Sequence, residues 1–348
     1  MSTAVTQPAP KPVQTSSEPL VVVDKLVKHF PITSGFLRRT VGQVRAVDGV
    51  SFEIGRGETV GLVGESGSGK STVARLITRL MKPTGGRIDF AGQDLATVSG
   101  RDLRPLRSKL QMVFQDPFSS INPRMSIAEA ISEPLITHKL ADSRAARRAR
   151  VGELLELVGL SPNDMDKYAH QFSGGQAQRI GIARALATNP DLIICDEAVS
   201  SLDVSVQAQV LNLLRRLQAE LGVSYLFIGH DLNVVRYISD RVFVMYMGQL
   251  VEAGPADKLM SDPMHPYTEA LIGAIANAEY AADGSHQRVV ARGEIPSPSN
   301  PPAGCRFHTR CPRVFDRCKV DAPALLQIGA DRRAACHLRE DVGVAVDA

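Results

Sequence analysis

Apolar residues recur with two different periods along the 348-residue chain, and the switches between them mark out its elements. From Leu20 the stretch LVVVDKLVKHF is rich in apolar and β-branched residues, and GQVRAVDGVSFEIGRGETVGLVG follows with alternating and then continuous apolar runs, which predicts strands. The intervening PITSGFLRRTV predicts a loop. After Gly69 the period lengthens: Val73, Leu76, Ile77 and Leu80 fall on one helical face until KPTGG stops them. Residues 122–170 are mostly helical in pattern, with Val151, Leu154, Leu155 and Val158 forming an apolar stripe beside arginines. DLIICDE is a buried strand from Asp191. A helix with Val206, Val210, Leu213, Leu214 and Leu217 on one side follows it, and VSYLFIGHD is a second buried strand. Strand, helix, strand requires crossover connections, so the main sheet is expected to be largely parallel in an α/β fold.

Beyond Gly254 the pattern loosens. A short helix is expected from Pro266, and GEIPSPSNPPAG is a proline-rich irregular linker. The last fifty residues hold too few apolar runs for a strong core of their own. The length predicts two domains, and residues 1–19, rich in Pro, Ser and Thr without a basic start or apolar middle, are expected to be a disordered tail and not a signal peptide. A net charge of +3, with 40 basic against 37 acidic residues, gives no reason to expect a nucleic-acid partner. No segment approaches the roughly 20 apolar residues that cross a bilayer. Five cysteines without an export signal point to a reducing compartment, where clustered thiols are more often metal ligands than disulfides.

The chemistry begins at Gly64, Glu65, Ser66, Gly67, Ser68, Gly69, Lys70 and Ser71, followed by Thr72. This Gly-x-x-x-x-Gly-Lys-Ser pattern sits between an expected strand and an expected helix. Its glycines let backbone amides converge on phosphates, Lys70 reaches the outer phosphate oxygens, and Ser71 is placed to bind Mg2+. LIICDE ends a buried strand on two carboxylates: Asp196 is the expected Mg2+ partner and Glu197 the residue that polarises the attacking water. Taken alone, the pair also fits a solvated strand end.

With these two motifs, FSGGQ (Phe172, Ser173, Gly174, Gly175, Gln176) and the stretches VFQDP, SSLD and GHD, the chain resembles the ATP-binding subunits of ABC transporters. The resemblance implies an α/β, P-loop ABC-type nucleotide-binding domain over 20–254, with a β subdomain and a helical insert at about 117–178. It implies that FSGGQ caps the γ-phosphate of ATP on an opposite subunit, in keeping with an anion at a glycine-rich helix start. It makes Gln115 the sensor glutamine that touches Mg2+ or water, Asp203 part of the loop that communicates across the dimer, His230 the γ-phosphate switch and Phe30 the ring stacked on adenine. The chain departs from the family at Ala198, where proline is usual, at Ser201, and at Gly229, where serine is more familiar. None of these removes a charge or a ligand, so hydrolysis is expected to persist, with a backbone relaxed beside Glu197.

Within that family, FPITSGFLRR, QMVFQDPFSSINPRMS, DVSVQAQVLNLL, HPYTEAL and IPSPSNPPAGCRFHTRCP resemble the ATPases of bacterial dipeptide and oligopeptide importers, the F-type more than the D-type. Nickel importers are close relatives, and a soluble ABC ATPase outside transport shares the nucleotide chemistry. The resemblance implies a peripheral subunit on the cytoplasmic face of a bacterial membrane. Its expected partners are a second ATPase of D-type, two integral permeases and, indirectly, an extracytoplasmic peptide-binding protein. Residues 255–348 then form a small metal-stabilised C-terminal region. Cys305, Cys311, Cys318 and Cys336 are separated by five, six and seventeen residues. Four thiolates hold either zinc or an iron-sulfur cluster, and four reduced, partly buried cysteines are the plainer reading. The resemblance favours [4Fe-4S]. Cys195, inside an apolar strand, is expected to be a simple core residue.

Overall fold

The computed structural model describes residues 18–35, 39–275, 291 and 293–342. The expected N-terminal tail therefore lies outside the described residues apart from Glu18 and Pro19. Strands β1 (Val21–Ser34) and β2 (Arg39–Ile54) form a long antiparallel pair from Val21↔Ile54 to Ser34↔Arg39, with register shifts between Val23 and Val27, between Lys28 and His29 and between Ile32 and Thr33. The loop expected over PITSGFLRRTV is thus corrected: most of it is paired strand. Pro31 is tolerated there because the far edge of β1 is paired only as far as Val27 and Gly85, leaving no second ladder to interrupt.

Strand β3 (Thr59–Val63) leads through the glycine-rich loop into helix α1 (Lys70–Ile77). The helix ends before Leu80, whose side chain is exposed, so Leu80 does not extend the apolar stripe as its spacing predicted. Strands β4 (Gly85–Phe90) and β5 (Gln93–Asp94) return to this pair, giving a four-stranded sheet in the order β2-β1-β4-β5. Helix α2 (Leu103–Lys109) and strand β6 (Leu110–Val113) follow.

The chain then runs through α3 (Pro117–Ser120), α4 (Ile127–Thr137), α5 (Arg144–Leu157), two single-turn helices and α6 (Gly174–Leu186). Val151, Leu154, Leu155 and Val158 are all buried, as their spacing predicts. Next come β7 (Leu192–Asp196), α7 (Val204–Leu221), β8 (Ser224–Gly229), α8 (Leu232–Ile238), β9 (Arg241–Tyr246) and β10 (Gln249–Pro255).

The main sheet has the order β11-β12-β10-β9-β3-β8-β7-β6. Its five strands from β9 to β6 are parallel, and the three on the other side are antiparallel. The parallel strands β3 and β7 are buried along their whole length, which is why their sequences, TVGLV and LIICD, are apolar except at Thr59 and Asp196. The C-terminal ends of β3, β8, β7 and β6 lie side by side, the location where open α/β sheets bind ligands.

The remaining chain forms α9 (Ala256–Ser261), α10 (Pro266–Ile275), α11 (Asp316–Val320), β11 (Leu326–Ile328) and β12 (Arg332–Ala334). It extends the existing architecture: β12 pairs with β10, and Phe307 joins the core cluster that includes Tyr246 and Tyr267. The proline-rich linker is irregular as expected, and the Arg45 N–H donates to the Pro298 carbonyl at 3.1 Å, tying it to β2.

Candidate nucleotide site

The four parallel strand ends each deliver one part of the site. After β3 the loop Gly64–Gly69 turns sharply. Gly69 has φ +109°, and a Cβ on it would lie 2.1 Å from the Ala46 carbonyl oxygen, so only glycine fits. Lys70 Nζ donates to the carbonyls of Gly64 and Glu65 at 2.7 and 2.9 Å, spanning the loop from within. Burial depresses the pKa of this ammonium, while Glu197, Asp196 and Glu65 oppose that shift.

After β7 come the two carboxylates. Ser71 Oγ donates to Asp196 Oδ1 at 3.0 Å, which joins the start of α1 to the end of β7. Burial pushes the Asp196 carboxyl up, the Ser71 hydrogen bond works against this, and the Glu197 charge adds to it. A hydroxyl and a carboxylate at this spacing are hard oxygen donors that suit Mg2+. Glu197 is held at φ +52° with its N–H on the Ile228 carbonyl at 2.9 Å. Ala198, the next residue, is buried. After β8, His230 is exposed, with Nδ1 3.9 Å from Glu197 Oε1.

After β6, Gln115 is exposed and its Nε2 donates to Ser200 Oγ at 3.4 Å, while Ser201 Oγ donates to the Gln115 carbonyl. Asp203 caps α7, accepting from the Val206 N–H at 2.9 Å. Ser66, Gly67, Ser68 and Thr72 complete the loop and the first turn of α1, and the Ser68 carbonyl accepts from the Gly248 N–H at 2.8 Å.

FSGGQ is built differently. Phe172 is buried, Ser173 caps α6, and Ser173 and Gln176 close a reciprocal capping box with bonds of 3.0 and 3.3 Å. Gly174 and Gly175 pack against Leu202 and Val206, and a Cβ on Gly175 would meet Val206 Cγ1 at 2.2 Å. The side chains of Ser173 and Gln176 are exposed, and each accepts from the backbone N–H of the other residue. Phe30 lies part-exposed on β1 opposite Val44, with Lys28 Nζ 5.2 Å from its ring centroid.

Three contributors come from the tail and were missed from the sequence. The Tyr267 hydroxyl accepts from the Glu65 N–H at 2.8 Å. Arg310 donates to both Glu65 carboxylate oxygens, at 2.7 and 3.1 Å. Arg306 donates to Asp48 and to the Met247 carbonyl, and Asp48 also pairs with His29 Nε2 at 2.8 Å. Burial alone would raise the Asp48 carboxyl, but His29 and Arg306 outweigh it and hold it low. HPY explains how Tyr267 is aimed: the Glu252 carboxylate accepts from the Met264 and His265 N–H groups, and His265 Nδ1 accepts from the Tyr267 N–H at 3.0 Å. The available signal was aromatic and basic residues in an otherwise polar tail.

The four tail cysteines share one neighbourhood. The Cys305 N–H donates to the Cys318 carbonyl at 2.9 Å. Burial pushes the Cys305 thiol up to about 11, against a hydrogen bond from the Phe307 backbone, with Cys336, Cys318 and Cys311 adding smaller contributions. Burial likewise takes Cys336 to about 11, with Cys311 and Cys318 contributing. Among the described residues, however, no group of three or more His, Cys, Asp or Glu side chains is arranged to hold a metal ion. Cys195 is wholly buried in β7, and burial raises its thiol to about 12, as a core residue should behave.

The comparisons with known proteins fall on the same segments. Residues 47–200 match the family described as "ABC transporter". The chain is 51% identical over 324 residues to the oligopeptide transport ATP-binding protein AppF of Bacillus subtilis strain 168, covering 93% of this chain and 98% of AppF. It belongs to the ABC transporter ATP-binding proteins. Residues 251–318 match the family described as "Oligopeptide/dipeptide transporter, C-terminal region". The probable peptide ABC transporter ATP-binding protein y4tS of Sinorhizobium fredii is 50% identical over 329 residues, covering 94% and 92% of the two chains. Among solved structures, the ATP-binding cassette MJ0796, a dimer bound to ADP and Pi, superposes with TM-score 0.61 at 30% identity, over 68% of this chain and 98% of that one. CbiO1 from Clostridium perfringens gives TM-score 0.61 at 28% identity, over 71% and 92%. The smaller coverage of this chain agrees with a family domain carrying an additional C-terminal region.

Proposed function

We propose that this chain hydrolyses ATP to drive import of di- or oligopeptides, as one ATP-binding subunit of an ABC importer. The observation that carries the ATPase reading is the convergence of Lys70, the Ser71–Asp196 pair, Glu197 and His230 on adjacent strand ends. The peptide reading is supported by the match of residues 251–318 and by the printed names of the most similar relatives. Ser71 and Asp196, with Gln115 nearby in sequence to the end of β6, would hold Mg2+, which supplies positive charge against the phosphate oxygens. Glu197 accepts the proton of the attacking water, and His230 serves the γ-phosphate. Phe30 is the proposed adenine platform.

Two ATPase subunits work head to tail in this reading. Support comes from α6: Ser173 and Gln176 are exposed, the Gln176 side chain accepts from the Ser173 N–H and the Ser173 hydroxyl from the Gln176 N–H, and the amides of Gly174 and Gly175 lie between them at the helix start. That leaves the glycine-rich helix start to cap a phosphate on the partner, with Asp203 at the adjoining loop. The partner is proposed to be a distinct D-type subunit, this chain being F-type, and residues 20–254 and 255–348 are the proposed functional divisions. Phe114 and Phe118, exposed beside Gln115, support a docking surface there for two membrane permeases. An extracytoplasmic binding protein would deliver the peptide. Among the described residues no helix is long and apolar enough to cross a membrane.

The four tail thiols are proposed to hold [4Fe-4S], with zinc as the alternative. The soft donor set of four thiols supports this, while the described side chains are not gathered into a metal site in this structure, and no step of ATP hydrolysis is assigned to the group. Iron, acid-labile sulfide and zinc per chain after anaerobic purification test it. About four iron and four sulfide are expected; one zinc without sulfide selects the alternative, and neither metal leaves four free thiols. Peptide-stimulated ATP turnover by the complex reconstituted in vesicles tests the transport reading, and turnover indifferent to permeases would overturn it.

A further inference from the structure

The turn between Cys305 and Cys311 carries Arg310, which is 8% exposed and points away from the solvent into the nucleotide-binding core. Its guanidinium lies 5.9 and 6.0 Å from the ring centroids of Tyr246 and Phe307 and forks onto both oxygens of Glu65. Glu65 is the second residue of the phosphate loop, and its own carbonyl already accepts from Lys70 Nζ. A carboxylate at this position opposes a bound polyphosphate twice. It repels the anion, and it competes as a counter-ion for Lys70. Among the described residues the Glu65 carboxylate is paired with Arg310 and not with Lys70.

We propose that Arg310 is a positioning residue for ATP binding: it neutralises and restrains the Glu65 carboxylate, so that the Lys70 charge is directed to the β- and γ-phosphates. The fork geometry matters because it occupies both carboxylate oxygens at once. The tail thereby fixes Glu65 at both ends, the side chain through Arg310 and the backbone through Tyr267. The proposal rests on the ATP reading of the loop and adds to it a charge condition set from 245 residues away.

The test is calorimetric titration of the full chain with Mg2+-ATP. Arg310→Ala is expected to weaken binding about tenfold, the scale of one charge weakened by the partial solvent exposure of Glu65. Adding Glu65→Gln to it is expected to restore affinity to that of Glu65→Gln alone. Should Arg310→Ala fail to fold, Arg310→Lys carries the same test: a loss of a few fold in the Glu65 background and none beside Glu65→Gln. Unchanged affinity, or a loss that persists in full beside Glu65→Gln, overturns the proposal and leaves Arg310 as packing against the two rings. A folded wild-type chain that takes up no Mg2+-ATP overturns the nucleotide reading first, and this one with it.

Discussion

The backbone N–H of Glu65 donates to the hydroxyl of Tyr267 at 2.8 Å, joining residues 202 apart in sequence. The ring is fully buried against Tyr246 and Phe307, so its oxygen is a fixed point for the phosphate loop. Tyr267→Phe keeps the ring and removes only that acceptor. An unmade bond of this kind costs about 1–3 kcal/mol. The expected result is a drop of about tenfold in Mg2+-ATP affinity with a near-native thermal transition, read by titration calorimetry and circular dichroism. Wild-type affinity would show that the loop holds its shape without the anchor.

Glu197 stands where β7 leaves the sheet, in the left-handed region of φ and within 3.9 Å of His230 Nδ1. An amide at this position keeps the shape and loses the base. Glu197→Gln is therefore expected to reduce ATP turnover of the assembled ATPase by at least about a hundredfold while ATP binding persists. Steady-state phosphate release and ATP retention report the two parts separately. Turnover at the wild-type rate would remove Glu197 from the water-polarising role.

The phosphate loop was legible because its requirements are local. Glycines, a lysine and a serine stand between a continuous apolar strand and a helix of period near four. The end of β7 was legible for the same reason. The loop expected over residues 31–41 was misread at Pro31–Ser34 and Arg39–Val41 because strand pairing is a long-range property, and Pro31 and Gly35 are turn formers by composition alone. Leu80 shows the converse failure: a helical period continued past the last hydrogen-bonded turn. For Arg310 and Tyr267 the only local trace was an aromatic and a basic residue in a polar tail, and an arginine between cysteines or a tyrosine near a helix start equally suits an ordinary surface. Burial against Tyr246 and the pairing with Glu65 exist only after the tail has joined the core.

Gly69 and Gly181 make opposite predictions for the same substitution. Gly69 has φ +109° and faces the Ala46 carbonyl at 2.1 Å and Met245 Cε at 2.7 Å from a built Cβ. Gly69→Ala must displace backbone, so a loss of about 3 kcal/mol or more and failure to bind ATP are expected. Gly181 lies within α6 with nothing within 4 Å of its built Cβ. Gly181→Ala is expected to stabilise the fold by about 0.5–1 kcal/mol. Chemical denaturation of the pair decides. Equal effects would mean that the loop backbone is softer than its contacts indicate.

His265 makes the tail's attachment sensitive to acid. Burial lowers its pKa from 6.5 to about 3, so the ring stays neutral in the fold while the unfolded chain takes up a proton. The contribution of His265 to stability is thus full above pH 6.5 and is lost progressively as pH falls toward 3. Glu252, whose carboxylate holds the His265 N–H, works the other way, because burial raises its pKa and acidification favours its folded, protonated form. The two are separated by comparing the wild-type chain with His265→Asn, which offers Tyr267 N–H another acceptor but does not titrate. From pH 6.5 to about 4, wild-type stability is expected to fall relative to the variant by about 1.4 kcal/mol per pH unit. Urea unfolding at stepped pH measures the difference, and parallel stability curves would mean that the folded chain admits the proton to His265 without opening the tail.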